Sequence, residues 1–172
     1  MKNLNKTSKI FAYISVLFGA LWLGGYLLRL ILTYQIFEGT DLHFRDFIDS
    51  SNLNVIYIIL NSAVSFTLIT YIIFILSFIA FISFSKLSLK KHGWLFIISL
   101  IILITLPFEL YLMTIDYQIF TVVYEGSFNA EEMSKLMIER MKVFSSFPLI
   151  EVFCYFSIIY FMIFQPLTVK EK

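Results

Sequence analysis

Four uninterrupted apolar runs constrain this chain more than any other feature: residues 10–37, 53–84, 94–123 and 143–165. A hydrocarbon core of ~30 Å needs ~20 helical residues to cross it, and each run is long enough. A soluble domain could not bury so much apolar side chain, because 59% of the residues are hydrophobic and only 15% are charged, against roughly 25% charged in ordinary soluble domains. An outer-membrane barrel would show ~10-residue segments of alternating polarity. These runs are continuous, so the expected class is an all-α integral membrane protein. In lipid, a helix satisfies its own backbone groups. The whole chain, 1–172, reads as a single four-helix transmembrane bundle.

The first run follows Lys2, Lys6 and Lys9, as a secretory signal would. Its length is about twice that of a signal core of roughly 7 to 15 residues, so it reads as a retained span. Lys and Arg then set the orientation, since they accumulate on cytoplasmic loops. The N-terminus, the 85–92 loop and the C-terminus hold eight lysines (2, 6, 9, 86, 90, 91, 170 and 172), against Arg45, Lys135, Arg140 and Lys142 on the other side. Both termini are therefore expected in the cytoplasm, in a plasma (inner) membrane. Trp94 is expected as an interfacial anchor.

The two outer loops are the longer ones, and short amphipathic helices are expected in them. In the first, Phe44, Phe47 and Ile48 stand at helical spacing. In the second, Asn129 with Glu132 three residues on resembles a capping box. Met133, Leu136, Met137, Met141 and Phe144 then share one helical face. That face has two readings: a lid resting on the bundle, or a methionine-rich surface for a protein partner. YQIF occurs at 34–37 and again at 117–120, with Glu-Gly-Thr or Glu-Gly-Ser after each. This motivates a 2+2 helical-hairpin pseudo-repeat, of a kind found in transporters. Ser15 with Gly19, and Ala20 with Gly24, are small-xxx-small pairs suited to helix packing.

The residues that invite a functional reading lie inside the spans. Glu109 sits near the middle of the third, in LPFE at 106–109. At ~1.5 Å per residue, Glu151 falls roughly 5 Å further out, Arg29 roughly 9 Å, and Asn61 and Asp116 roughly 11 to 12 Å. All five therefore belong to the outer half, spread over four spans. Arg29 costs ~2.5 to 3.5 kcal/mol at a helix centre, while the Ile, Leu, Phe and Val residues of its span contribute ~0.3 to 0.6 kcal/mol each in the other direction. The span still inserts, and such groups turn inward and pair. Arg29 is expected to bridge one or two of Glu109, Glu151 and Asp116. Pro107 is expected to bend the third helix. FPLIE at 147–151 echoes LPFE, and if both prolines loosen their helices, freed carbonyls add acceptors beside the acids.

No phosphate-binding loop, zinc spacing or HExxH occurs in the sequence, and no cofactor is implied. His43 and His92 fall on opposite sides of the membrane and cannot share one haem. Cys154 stands alone, so no disulfide forms within the chain. A net charge of +1 offers no field for nucleic acid. Two functional classes remain. One is a non-catalytic subunit, assembly factor or protective or regulatory partner in the membrane, acting as part of a complex or oligomer. The other is a small transporter or proton or ion pathway lined by Arg29, Glu109 and Glu151.

Overall fold

The computed structural model describes residues 4–39, 41–49, 52–124, 129–144 and 146–168. Five helices and one short hairpin follow in order: α1 (Lys6–Ile36), β1 (Phe37–Glu38), β2 (His43–Phe44), α2 (Leu53–Ser85), α3 (Gly93–Tyr124), α4 (Ala130–Lys142) and α5 (Phe147–Phe164). α1, α2, α3 and α5 are long and apolar enough to cross a membrane. They mark the chain as a membrane protein and coincide with the four apolar runs to within a few residues.

Local chemistry sets the boundaries. Asn5 caps α1, its Oδ1 accepting from the Ser8 amide at 2.7 Å, the role that short polar side chains perform at helix starts. α2 ends where Lys86 turns left-handed, at φ 53°. Within the apolar helices, hydroxyls fold back on the preceding turn: Thr33 donates to the Arg29 carbonyl at 2.8 Å and Thr70 to that of Phe66 at 2.7 Å. This satisfies groups that have no water to turn to.

The fourth apolar run does not form one helix. It breaks at Val143, Phe144 and Ser146, and α5 begins at Phe147 with Pro148 in its first turn. A first-turn residue has no intrahelical acceptor for its amide, so proline fits there without loss. The expectation that Pro148 loosens a span is thus corrected, since it starts one. Pro107 does lie inside α3, which continues through it.

The first outer loop is also corrected. Residues 37–38 and 43–44 pair as antiparallel strands, and the described residues between α1 and α2 contain no helix. Phe37 stacks on Phe44 with ring centroids 5.3 Å apart. Gly39 closes the turn at φ 69°, in the left-handed region that glycine enters without steric cost. The expected helix in the second loop is present as α4. Asn129 caps it by accepting from the Glu131 amide at 2.9 Å. The YQIF copies meet different fates: the first ends α1, while the second lies inside α3. Of the residues after them, Thr40 and 125–128 lie outside the described residues.

α1 packs along α2, and α3 touches α2, α4 and α5, whereas α1 meets α5 over only a short length. Two apolar cores result. One fills the half nearer the termini, around Trp22, Tyr71, Phe74, Leu95 and Tyr155. Trp22 is its centre, 4.5 Å from the Tyr155 ring and 5.0 Å from that of Tyr71. Trp94, expected at the interface, is instead 4% exposed and part of this core. The 85–92 loop joins the C-terminal segment there, with the Gly93 amide donating to the Leu167 carbonyl at 3.1 Å.

The second core lies at the far end, around Ile36, Tyr57, Ile119, Met133 and Met137. α4 is a structural cover for this end. The Tyr57 and Ser134 hydroxyls, 2.7 Å apart, tie it to α2. Met133 and Met137 are 0% and 1% exposed, and Leu136 and Met141 are half-buried. The candidate partner surface is therefore turned into the protein's own core. Amphipathic spacing identifies the buried face without saying whose apolar surface buries it.

The glycines separate two kinds of helix face. A side chain on Gly25 would meet the Phe66 ring at 2.9 Å and the Thr67 methyl at 3.1 Å, so this is where α1 and α2 approach closely. Gly19 contacts the Phe74 ring, but Gly24 has open space beside it. Ala20 and Gly24 are both exposed, so this pair is not a packing seam between helices.

Candidate functional site

Between the two cores lies a layer of buried polar side chains drawn from α1, α3, α4 and α5. Its anchor is Asp116 on α3. Arg29 on α1 grips this carboxylate with both ends of its guanidinium: Nη1 donates to Oδ2 at 2.6 Å, and Nη2 donates to Oδ1. Planar guanidinium and carboxylate groups match in this two-point geometry. Arg140 on α4 then donates from Nε to Oδ1 at 2.7 Å. One carboxylate accepts three charge-assisted bonds from two helices besides its own.

Sequence reasoning placed Arg29, Glu109, Asp116 and Glu151 together, and they are together. Arg29 and Asp116 are the paired couple. Asn61 does not join them: it is buried one to two turns from Thr67 in α2, between Leu60 and Val64 of the far-end core, and among the described residues its side chain hydrogen-bonds none of the charged groups. Arg140 was counted only as an outer charge, yet it is 8% exposed. The signal that could have found it is its spacing, since Met133, Met137 and Arg140 recur at four and three residues on one face. Burial by itself disfavours the Arg140 cation, but Asp116 and then Glu109 more than offset this and hold its pKa above the ordinary arginine value.

The remaining acids stand one layer deeper. Glu109 lies two helical turns from Asp116 on the same face of α3, and Glu151 sits across from it on α5. They are 3% and 0% exposed. Their carboxyl groups are near neighbours, and the Tyr26 hydroxyl adjoins Glu151. Neither Glu151 oxygen, nor Glu109 Oε1, nor the Tyr26 hydroxyl makes a well-formed hydrogen bond among the described residues. Each acid has a hydroxyl one turn away on its own helix, Thr105 below Glu109 and Tyr155 below Glu151. These two hydroxyls meet at 3.2 Å. Arg140 also lies over the Tyr26 ring, 6.0 Å from its centroid.

A small opening adjoins the layer at the far end. A crevice of about 30 Å³ opens between α1, α4 and α5, lined by Tyr26, Arg29, Thr33, Arg140 and Pro148. A second space of about 10 Å³ shares Tyr26, Arg29 and Arg140 with the crevice and is lined also by Glu109 and Asp116. Spaces of ~10 to 15 Å³ are the smallest that admit a water molecule, and they hold one only where polar groups line them. Spaces of this size suit water and protons, not larger solutes.

Elsewhere the chemistry is sparse. Asp41 and His43 are solvent-exposed, with side chains 81% and 79% accessible. His43 lies at the hairpin end and His92 at the terminal end, as expected. Among the described residues, no group of three His, Cys, Asp or Glu side chains is placed to hold a metal ion. Comparison with protein-family models, curated proteins and solved structures finds no match.

Proposed function

We propose that this protein is a small proton-linked transporter or proton pathway, with Glu109 and Glu151 as the proton-carrying pair. One observation carries the reading: these two acids are buried near neighbours whose oxygens, both of Glu151 and Oε1 of Glu109, make no well-formed hydrogen bond among the described residues, beside an Arg29–Asp116–Arg140 network that is itself hydrogen-bonded. Two carboxylates offer only acceptors to one another, so neighbours of this kind can bond only through one hydrogen held between them. Charge balance agrees. Two guanidinium groups face three carboxyl groups, and a single proton makes the layer neutral. Ionisable groups inside a membrane are expensive, and they mark ion and proton routes.

In this reading Asp116 fixes the two arginines, and the arginines line the crevice through which a proton reaches the acids from the far end. Tyr26 stands between crevice and acids. Passage to the other side requires the Thr105–Tyr155 contact to open, since the terminal-side core below it is apolar. The termini are placed in the cytoplasm and the crevice outside, in a plasma (inner) membrane, on the strength of the lysine distribution. The 2+2 hairpin relation rests on the YQIF repeat alone, and the mechanism does not depend on it.

The test is proton uptake into liposomes holding the purified protein, driven by an imposed membrane potential. Wild type acidifies the lumen. Glu109→Gln and Glu151→Gln each abolish this while the protein stays monodisperse, and Asp41→Asn in the exposed hairpin leaves it unchanged. Undiminished uptake in both glutamine variants refutes the reading.

A second reading, a non-catalytic subunit or assembly partner, is supported by one surface. Phe153, Tyr160 and Phe164 project from α5 with exposures of 65%, 52% and 67%. Crosslinking from this face in native membranes would recover a stable partner, and recovery of lipid adducts alone would count against it.

A further inference from the structure

A cavity of about 340 Å³ lies in the half nearer the termini, where α1 and α5 diverge. Its walls come from α1, α2, α3 and α5, including Ala20, Leu23, Phe74, Ile102 and Ile158. Of all its lining groups, only Ser15 and Tyr155 carry a hydroxyl. An apolar cavity of about 150 Å³ already stays dry and binds a hydrocarbon such as benzene, and this one is more than twice that size. Its rim residues Val16, Ile159 and Ile163 are 46%, 45% and 68% exposed. They belong to helices long and apolar enough to lie in a bilayer, so the cavity opens sideways toward hydrocarbon rather than toward water.

We infer that this cavity is a binding site for one acyl chain of a membrane phospholipid, entering between α1 and α5 from the leaflet on the terminal side. The shape excludes a transmembrane helix, which is a cylinder ~10 Å across and needs a groove rather than a pocket. Charge points to the phospholipid. Lys6 and Lys9 are exposed at the start of α1, and Ser15, at the cavity's lower edge, is about 9 Å above Lys9 at ~1.5 Å per residue. A chain seated in the cavity leaves its phosphate at the level of these two lysines. The chain's end would rest against Tyr155, whose hydroxyl is the one facing Thr105 beneath the acid pair. The inference stands on the cavity and the lysines, and does not require Glu109 and Glu151 to carry protons.

Trp22 makes the test direct. It is 1% exposed, so bulk lipid cannot touch it, yet its ring is within 6.3 Å of Phe74 and 4.5 Å of Tyr155, both of which line the cavity. In a Trp94→Phe background Trp22 is the sole tryptophan. The full chain is placed in vesicles of phosphatidylcholine and phosphatidylglycerol whose acyl chains carry bromine, a short-range quencher. The expected result is quenching of Trp22 that is lost in Ala20→Phe, which fills the cavity, and kept in Gly24→Phe, which points into open space. Should Ala20→Phe fail to fold, Ser15→Leu fills the same cavity from its lower edge. Native mass spectrometry of the wild type supplies an independent readout, with a retained phospholipid expected. No quenching beyond that of the filled variants, or a retained prenyl-chain lipid in place of phospholipid, overturns the proposal.

Discussion

Replacing Asp116 with alanine removes the only partner, among the described residues, to which either buried arginine is hydrogen-bonded through its side chain. Removing one member of a buried ion pair costs ~3 to 5 kcal/mol, because the other charge stays buried and uncompensated. Two cations are orphaned here, which pushes the cost up. Glu109 is close enough to offset part of it, which keeps the expected loss in that same ~3 to 5 kcal/mol range. Were Asp116 an ordinary interhelical hydrogen-bonding residue, the loss would be nearer ~0.6 kcal/mol and no more than about 1.7. Reversible unfolding of the purified protein in mixed micelles, titrated with a denaturing detergent, separates these values. The companion variant removes all three groups together: Asp116→Leu with Arg29→Met and Arg140→Leu. Apolar replacement of an entire buried network is often neutral or stabilising, so this variant should recover most of the stability the single change loses. A single-variant loss below about 1 kcal/mol, or a triple variant no more stable than the single, would refute the reasoning on paired burial.

Two other outcomes follow from particular contacts. Gly25→Ala should cost ~1 to 3 kcal/mol by forcing α1 from α2, whereas Gly24→Ala, facing open space, should stay within about 0.5 kcal/mol of wild type; the same unfolding titration reads both. In α4, Glu131 pairs with Lys135 at 2.8 Å, and a hydrogen bond from Lys135 and its charge hold the Glu131 pKa below the ordinary 4.5. A carboxyl with a lowered folded value contributes stability that is present above 4.5 and lost as pH falls through the folded value. Protection factors of the α4 amides, which correct for the intrinsic pH dependence of exchange, should therefore fall in acid below pH 4.5, and Glu131→Gln should remove that dependence.

Much of the architecture was legible because bilayer physics is severe. Four apolar runs gave four helices within a few residues of their expected bounds, and only the turn before Pro148 broke the pattern. Depth along the helices correctly grouped Arg29, Glu109, Asp116 and Glu151, since rise per residue is nearly fixed. It misjudged Asn61, because equal height does not mean the same face of the bundle. The first outer loop was read as helical from three apolar positions. A hairpin won there through the Phe37–Phe44 pair and the turn at Gly39, which are contacts between segments and not a period within one. Arg140 escaped notice for a related reason. A charge in a loop segment looks solvated until the helix carrying it is known to lie on the bundle, and then its place in the Met133–Met137 stripe buries it. The tyrosines around the acids were likewise hidden among the many aromatics that lipid-facing helices carry.

The central claim is that Glu109 and Glu151 share one proton inside the membrane-spanning layer. Infrared spectroscopy of the protein in lipid at neutral pH tests it most directly, because a protonated carboxyl absorbs apart from carboxylates and shifts on deuterium exchange. The account predicts one such band in wild type and none when both residues are changed to glutamine. A wild-type spectrum with no protonated carboxyl, or a band that survives the double substitution, would contradict it.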